Sequence, residues 1–354
     1  MSADEATAVG WAKARNAPCP RDLRRVWWWA RFALPTLLLA AVSPALADDL
    51  IKLRVASVSV PPSMHTLYMQ VADEEGIFKK NGLAVDGIVQ LNSGPIVTQS
   101  LSSGAIDVAD TDAEGVLNAA AAGFPLLAVS APAQRLSYRV MVAPEIKSYK
   151  DLVGQPFAIS RPGALSQYLM FPALDRDGID RNAVSWVPIG GPSQRRLALV
   201  NGRVKGALLH LDYALGAQRD SKVVSLDETA RTNPDYPHEV LVIRREIAEK
   251  NPAAATAVVR SIIEACRFIV THRERTVELY KKYTGETDTA LANAAYDALL
   301  AMHGYGVNGG LTRKGLENVA RLAGENGAKT IPVEGWADPH FQEEAVRQIG
   351  PVPE

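Results

Sequence analysis

Short apolar runs alternate with stretches in which apolar residues recur every three or four positions, and from Leu53 onward this predicts strand, helix and strand in close succession. The run Leu53 to Val58 stops at Pro61-Pro62. Leu67, Met69, Val71 and Phe78 then place a helix over 65–77 that ends at Asn81-Gly82. Further strands are expected near 85–91, 106–110 and 126–130, with helices near 95–103 and 113–122. Pro95 falls in a first turn after Ser93-Gly94, Thr111 or Asp112 can cap "AEGVLNAAAAG", and Gly123 closes that helix. Repeated parallel crossovers bury a sheet between helices and gather the strand ends around an open crevice, where an α/β protein holds a ligand.

The segment "APAQRLS" (131–137) separates two apolar strands, Leu126 to Ser130 and Arg139 to Ala143, and reads as a first crossing between two lobes. Beyond it the pattern predicts a helical turn at Asp151-Leu152, a strand at 157–159, a helix over 164–175, a strand at 185–189, a helix over 193–201 and a strand at 206–210. Residues 212–233 are polar and read as helix and loop, after which "PHEVLVIRREI" (237–247) is a strand carrying the chain back. A helical region follows from Asn251 as cap and Pro252 in the first turn, then helices at 289–302, 312–323 and 338–348 that should lie on the first lobe. The expected organisation is α/β in two lobes, 48–134 plus 235–354 and 135–234. Two crossings form the hinge and a ligand cleft lies between them.

Four stretches carry a family resemblance: "EEGIFKKNGL" (74–83), "LSSGAIDVAD" (101–110), "IKSYKDLVGQPFAISRPG" (146–163) and "RRLALVNGRVKGALLHLDY" (195–213). Together they resemble the substrate-binding proteins of ABC importers of the nitrate, sulfonate and taurine type, the NMT1/THI5-like proteins, over nearly all of residues 50–275. The resemblance implies a type II periplasmic-binding fold that closes on a small solute, delivers it to a membrane permease and performs no chemistry on it. Pyrimidine-precursor synthases of thiamine biosynthesis look similar, but this chain lacks their cysteine-rich motif. A third reading is a periplasmic sensor partner.

The N-terminus agrees with export. Arg21, Arg24, Arg25 and Arg31 precede the apolar run Phe32 to Val42 and then Ala45-Leu46-Ala47, the pattern of a secretory signal cleaved before Asp48. That run is too short for a membrane span. Arg24-Arg25 before Val26-Trp27-Trp28 resembles a twin-arginine signal, with Leu23 where a small polar residue is usual, so both general and twin-arginine export stay open. Without residues 1–47 the chain has 307 residues, with 32 basic and 36 acidic side chains and a formal charge of −4. A mixed, mildly acidic surface argues against nucleic acid and against a polybasic membrane contact. Cys266 is then the sole cysteine, so no internal disulfide is available, and it reads as a small buried residue on a helix. A monomeric periplasmic protein without cofactor is expected.

Strand ends and helix N-termini are where such a cleft meets its ligand, because backbone N–H groups and the helix dipole favour negative charge there. The candidates are Ser59, Met64 and His65 at the entry to the first helix, Ser93 before the second, and Asp112 at the end of a buried strand. Each has a plainer role: His65 as a cap or a solvent-facing residue, Ser93 and Asp112 as helix caps. Across the cleft, Ser160, Arg161 and Ser166 leave a strand and enter a helix, where they could hold an anionic group, with Arg161 as bidentate counter-charge or as an exposed loop residue. Gly191 opens another helix, and His210, Asp212 and Tyr213 follow a strand. Tyr213, Tyr236 or Trp186 would suit stacking on a ring. No nucleophile elbow, Walker loop, zinc-protease helix or C-x-x-C is present. The six histidines are scattered along the chain, and no metal cage is expected from them.

Overall fold

The structure is a computed structural model that describes residues 50–353; the expected export signal lies outside the described residues. Among those described, no helix is long and apolar enough to cross a membrane. The chain first lays down β1 (Ile51–Ser57), α1 (Tyr68–Glu74), α2 (Ile77–Lys80), β2 (Leu83–Gln90), α3 (Gly94–Ser102), β3 (Val108–Thr111), α4 (Ala113–Ala121) and β4 (Leu126–Ala133). It then builds β5 (Tyr138–Val142), β6 (Pro156–Ile159), α5 (Leu165–Tyr168), α6 (Phe171–Arg176), β7 (Ser185–Pro188), α7 (Pro192–Val200), β8 (Gly206–His210), α8 (Leu211–Asp220), β9 (Val224–Glu228) and α9 (Thr229–Thr232). It returns through β10 (Glu239–Arg244) and ends in helices α10 (Arg245–Lys250), α11 (Pro252–Thr271), α12 (Arg273–Thr284), α13 (Thr289–Ala301), α14 (Arg313–Glu325) and α15 (His340–Ile349).

Two five-stranded sheets result, in the orders β2-β1-β3-β10-β4 and β7-β6-β8-β5-β9. In the first, β1 runs parallel to β2 and β3, while β10 is antiparallel to β3 and β4. In the second, β6 is parallel to β7 and β8, and β5 is antiparallel to β8 and β9. Each lobe is thus a short parallel sheet with one reversed strand, and the chain passes between lobes only after β4 and after β9. The crossings lie side by side, with His238 N–H donating to the Ala133 carbonyl (2.8 Å). Every residue of β4 and of β8 is buried, which is why these strands read as unbroken apolar runs. One core packs α1 and α11 against the first sheet; a second continues from its other face, through α3 and α4, into the second lobe.

Several expectations are corrected. The helix over 65–77 is a short 3-10 turn at Met64–Thr66 followed by α1 and α2, because Ser63 N–H bonds the Thr66 hydroxyl (3.1 Å) and Gly76 turns left-handed (φ 65°). Pro172, which has no N–H to continue a helix, divides 164–175 into α5 and α6. The polar stretch 212–233 contains the edge strand β9. The C-terminal helices do not all stay on the first lobe, since α13 packs on α8. Ser93 sits at the N-cap of α3 without bonding its N–H groups, whereas Asp112 caps α4 through Gly115 N (2.7 Å) and Asn251 caps α11 through Ala254 N (3.0 Å). Cys266 is buried, as read, with its thiol towards the Pro132 carbonyl (3.8 Å).

Candidate functional site

Two buried aspartates fix the loop that follows β1. Asp110, at the end of β3, accepts from Val58 N (2.8 Å), Tyr68 OH (2.9 Å) and Ser57 Oγ (3.2 Å), and burial raises its carboxyl to about 6. Asp212, in the first turn of α8, reaches across from the second lobe and accepts from Ser63 Oγ (2.6 Å), Met64 N (2.9 Å) and Tyr280 OH (3.1 Å). Tyr213 OH donates to the Pro61 carbonyl (3.3 Å), and Tyr305 OH to that of Met64. Gly191 completes the approach: a Cβ there would stand 3.0 Å from the Val60 carbonyl. Residues 60–66 of one lobe therefore rest on the start of α7 and α8 of the other.

The scattered histidines are not scattered in space. His65, His210 and His238 converge at this junction, with one ring nitrogen of each within 4.8 Å of the others, which overturns the expectation of no histidine cluster. The His65 and His238 rings stack (centroids 4.1 Å apart, planes 4° apart), and His210 meets His65 edge-on at 4.3 Å. Tyr138 covers His210 and His238 at 4.5 and 4.6 Å. Burial pushes the His65 imidazole down to about 3 and lowers His210 and His238 well below the usual range, so all three are neutral. Glu239 lies 3.8 Å from His65 Nε2 and 3.9 Å from His238 Nε2, and burial holds its carboxyl well above the ordinary range. Arg195, buried on α7, donates to the Leu208 carbonyl; among the described residues it pairs with no carboxylate. Ser63, Tyr138, Arg195, Tyr280, His238 and Glu239 were not foreseen.

The other candidates divide. Ser59 is buried and turns its hydroxyl to the Pro61 carbonyl (2.8 Å), and the Met64 side chain belongs to the core. Ser160 and Ser166 bond each other (Oγ to Oγ 3.0 Å), and Arg161 is exposed on the loop between them. Asp112 borders a cavity of about 520 Å³ that also touches Thr98, Gln99, Asn118 and Phe124 and, from the second lobe, Gly163. Gly94, the residue after Ser93, lies against Asp112, since a Cβ there would fall 1.7 Å from Asp112 Oδ2. Trp186 is not free to stack on a ligand: it packs edge-on against Phe157 and Phe171 (5.7 and 6.0 Å) and bonds the Arg181 carbonyl (2.9 Å). Tyr236 is likewise buried.

Two α/β lobes joined by two crossings, with strand ends and helix starts facing one junction, define a two-lobed periplasmic-binding architecture. The chain belongs to the NMT1/THI5-like family, which it matches over residues 63–276. It is 25% identical over 233 residues, 65% of this chain and 70% of the relative, to the taurine-binding periplasmic protein of Escherichia coli (strain K12). Among solved structures it is similar to the periplasmic aliphatic sulphonate binding protein SsuA from Escherichia coli, with a TM-score of 0.64 and 21% identity over 80% of this chain and 91% of that one. It is also similar to the periplasmic nitrate-binding protein NrtA from Synechocystis PCC 6803, with a TM-score of 0.64 and 11% identity over 85% and 90%.

Proposed function

We propose that this protein is the extracytoplasmic solute-binding component of an ABC importer, taking a small anionic organic solute of the sulfonate, nitrate or taurine class and passing it to a membrane permease. The observation that carries this reading is the junction itself. Two lobes connected only by paired crossings meet through side chains of α7, α8 and the loop after β1, so closing and opening on a solute requires a hinge motion and no refolding. A solute that binds the closed form better shifts that equilibrium by its differential affinity. Support for an anion comes from Arg195, a buried guanidinium without a carboxylate beside His210, and from Arg161 on the loop after β6. The protein acts as a monomeric receptor, without catalysis, after export by the general or twin-arginine route. Ser160, Arg161, Ser166, Ser93, Asp112 and Gly191 surround the solute's path.

The test is calorimetry and thermal shift with taurine, alkanesulfonates, nitrate and aromatic carboxylates, followed by recovery of the bound compound. A solute at 100 times its dissociation constant adds about 2.7 kcal/mol of stability, and it should be recovered unchanged. Arg161→Ala should weaken an anionic solute by about 1.5–3 kcal/mol through a lost charged hydrogen bond. No stabilisation by any anion, or conversion of the compound, would overturn the proposal.

A further inference from the structure

We propose that His65, His210 and His238, together with Glu239, form a site for one divalent transition-metal ion of the zinc class at the junction of the two lobes. The three histidines are 2%, 4% and 0% exposed and Glu239 is 3% exposed, yet the Nε2 atom of every ring and the Glu239 Oε2 atom have no hydrogen-bond partner. Buried polar atoms are rarely left this way, because each unmet group forfeits the hydrogen bonds it had with water. Three unpartnered ring nitrogens in a cluster whose rings each offer one nitrogen within 4.8 Å of the others, with Glu239 Oε1 at 3.8 and 3.9 Å from two of them, call for a shared partner. Three neutral imidazole nitrogens and a carboxylate are the donor set that suits a zinc-class ion.

The surrounding hydrogen bonds prepare the donor at His210. The Ser63 hydroxyl has one hydrogen and gives it to Asp212 Oδ1 (2.6 Å), so at 3.1 Å from His210 Nδ1 it accepts. His210 then carries its proton on Nδ1 and presents a bare lone pair at Nε2. A carboxylate acting through a second group on a ligating histidine is the usual outer support of a metal site. At His238 the Ser137 N–H donates to Nδ1 (3.2 Å), which sets the ring's proton on Nε2 in the metal-free protein. Ligation at Nε2 displaces that proton to Nδ1, gives up the bond from Ser137 N, and leaves Ser137 Oγ, 3.0 Å away, as the acceptor. Metal–nitrogen bonds of about 2.0–2.1 Å bring tetrahedral ligand atoms to roughly 3.4 Å from one another. Binding therefore draws the present 3.8–4.8 Å separations inward and turns the stacked His65 and His238 rings towards each other. Arg195 is the nearby cation, beyond Tyr138 and His210. Because His65, His238 and Glu239 belong to the first lobe and His210 to the second, the ion fastens the two together.

The test uses protein stripped with a chelator and titrated with zinc or cobalt(II) by calorimetry, with visible absorption reporting the cobalt geometry. One equivalent should bind, with a tetrahedral cobalt spectrum and a higher melting temperature. His238→Gln should weaken binding by more than 100-fold. Ser63→Ala, which keeps every donor but releases the His210 tautomer, should weaken it by about 10–100-fold. The Ser63 variant keeps the idea testable where a histidine variant fails to fold. Absence of stoichiometric binding, an octahedral spectrum, or affinity unchanged in both variants would overturn the site. So would loss of an ammonium-bearing solute, and no effect on metal, in the histidine variants. Solute binding repeated in chelator separates the two proposals, since it can persist when the metal site fails.

Discussion

Asp212 is where the lobes are joined by the strongest local chemistry, and its replacement is the sharpest perturbation of the fold. In Asp212→Ala three buried donors, Ser63 Oγ, Met64 N and Tyr280 OH, lose acceptors now at 2.6, 2.9 and 3.1 Å. Bonds to a charged acceptor contribute about 1.5–3 kcal/mol each, but burial already raises the Asp212 carboxyl, so removing it returns part of that as relieved desolvation. A net loss of about 3–5 kcal/mol is expected, in line with breaking a buried charged network from one side. Asp212→Asn keeps one acceptor but sets an amide N–H₂ against a donor, and should cost about 2–3 kcal/mol; Tyr280→Phe removes one bond and should cost about 1 kcal/mol. At roughly 2–4 °C per kcal/mol for a chain of this size, the alanine variant should melt about 6–20 °C lower. Calorimetry and urea unfolding at neutral pH, without solute and with chelator present, measure the series. A loss below about 1 kcal/mol for Asp212→Ala, or an equal loss for Tyr280→Phe, would refute the reasoning.

Two further outcomes follow from the first lobe. The Glu114 carboxyl, buried on α4 with the Asp112 charge as a second cause, is pushed up to about 8, so the folded chain holds a proton that the unfolded chain releases near pH 4.5; stability falls as pH rises between those values. Glu114→Gln should match the parent near pH 4.5 and exceed it by about 2–4 kcal/mol at pH 8, measured as urea midpoints. Gly94→Ala drives a methyl into Asp112 Oδ2 and should cost about 1–2 kcal/mol by displacing the α4 cap, a cost that shrinks in an Asp112→Ala background.

What the sequence conveyed depended on how local the physics is. β4, β8 and β10 were legible because strands buried on both faces leave apolar runs, and the caps Asp112 and Asn251 because they act within three residues. β9 was not, since "VSLDE" is an edge strand with exposed ends whose pairing with β5 supplies the stability its side chains do not. His65, His210, Asp212 and Tyr213 were picked out at strand ends, and they do meet. His238 and Glu239 were passed over because "PHEVLV" reads as an ordinary returning strand. A histidine beside a glutamate at the entry to a buried strand was the available signal. Their meeting with His65 depends on which strand lies next to which, and no local pattern encodes that.

The place of β10 in the first sheet also bears on how the chain can be made. It lies between β3 and β4, and those two strands are not hydrogen-bonded to each other, so a nascent chain that stops before Glu239 has a gap in the middle of that sheet. The second sheet, by contrast, draws all its strands from the continuous segment 138–228 and can be completed first. Order of assembly thus runs against order of synthesis: the lobe that begins earlier must wait for its middle strand, at the loop-closure cost that long-range pairing imposes on folding rate.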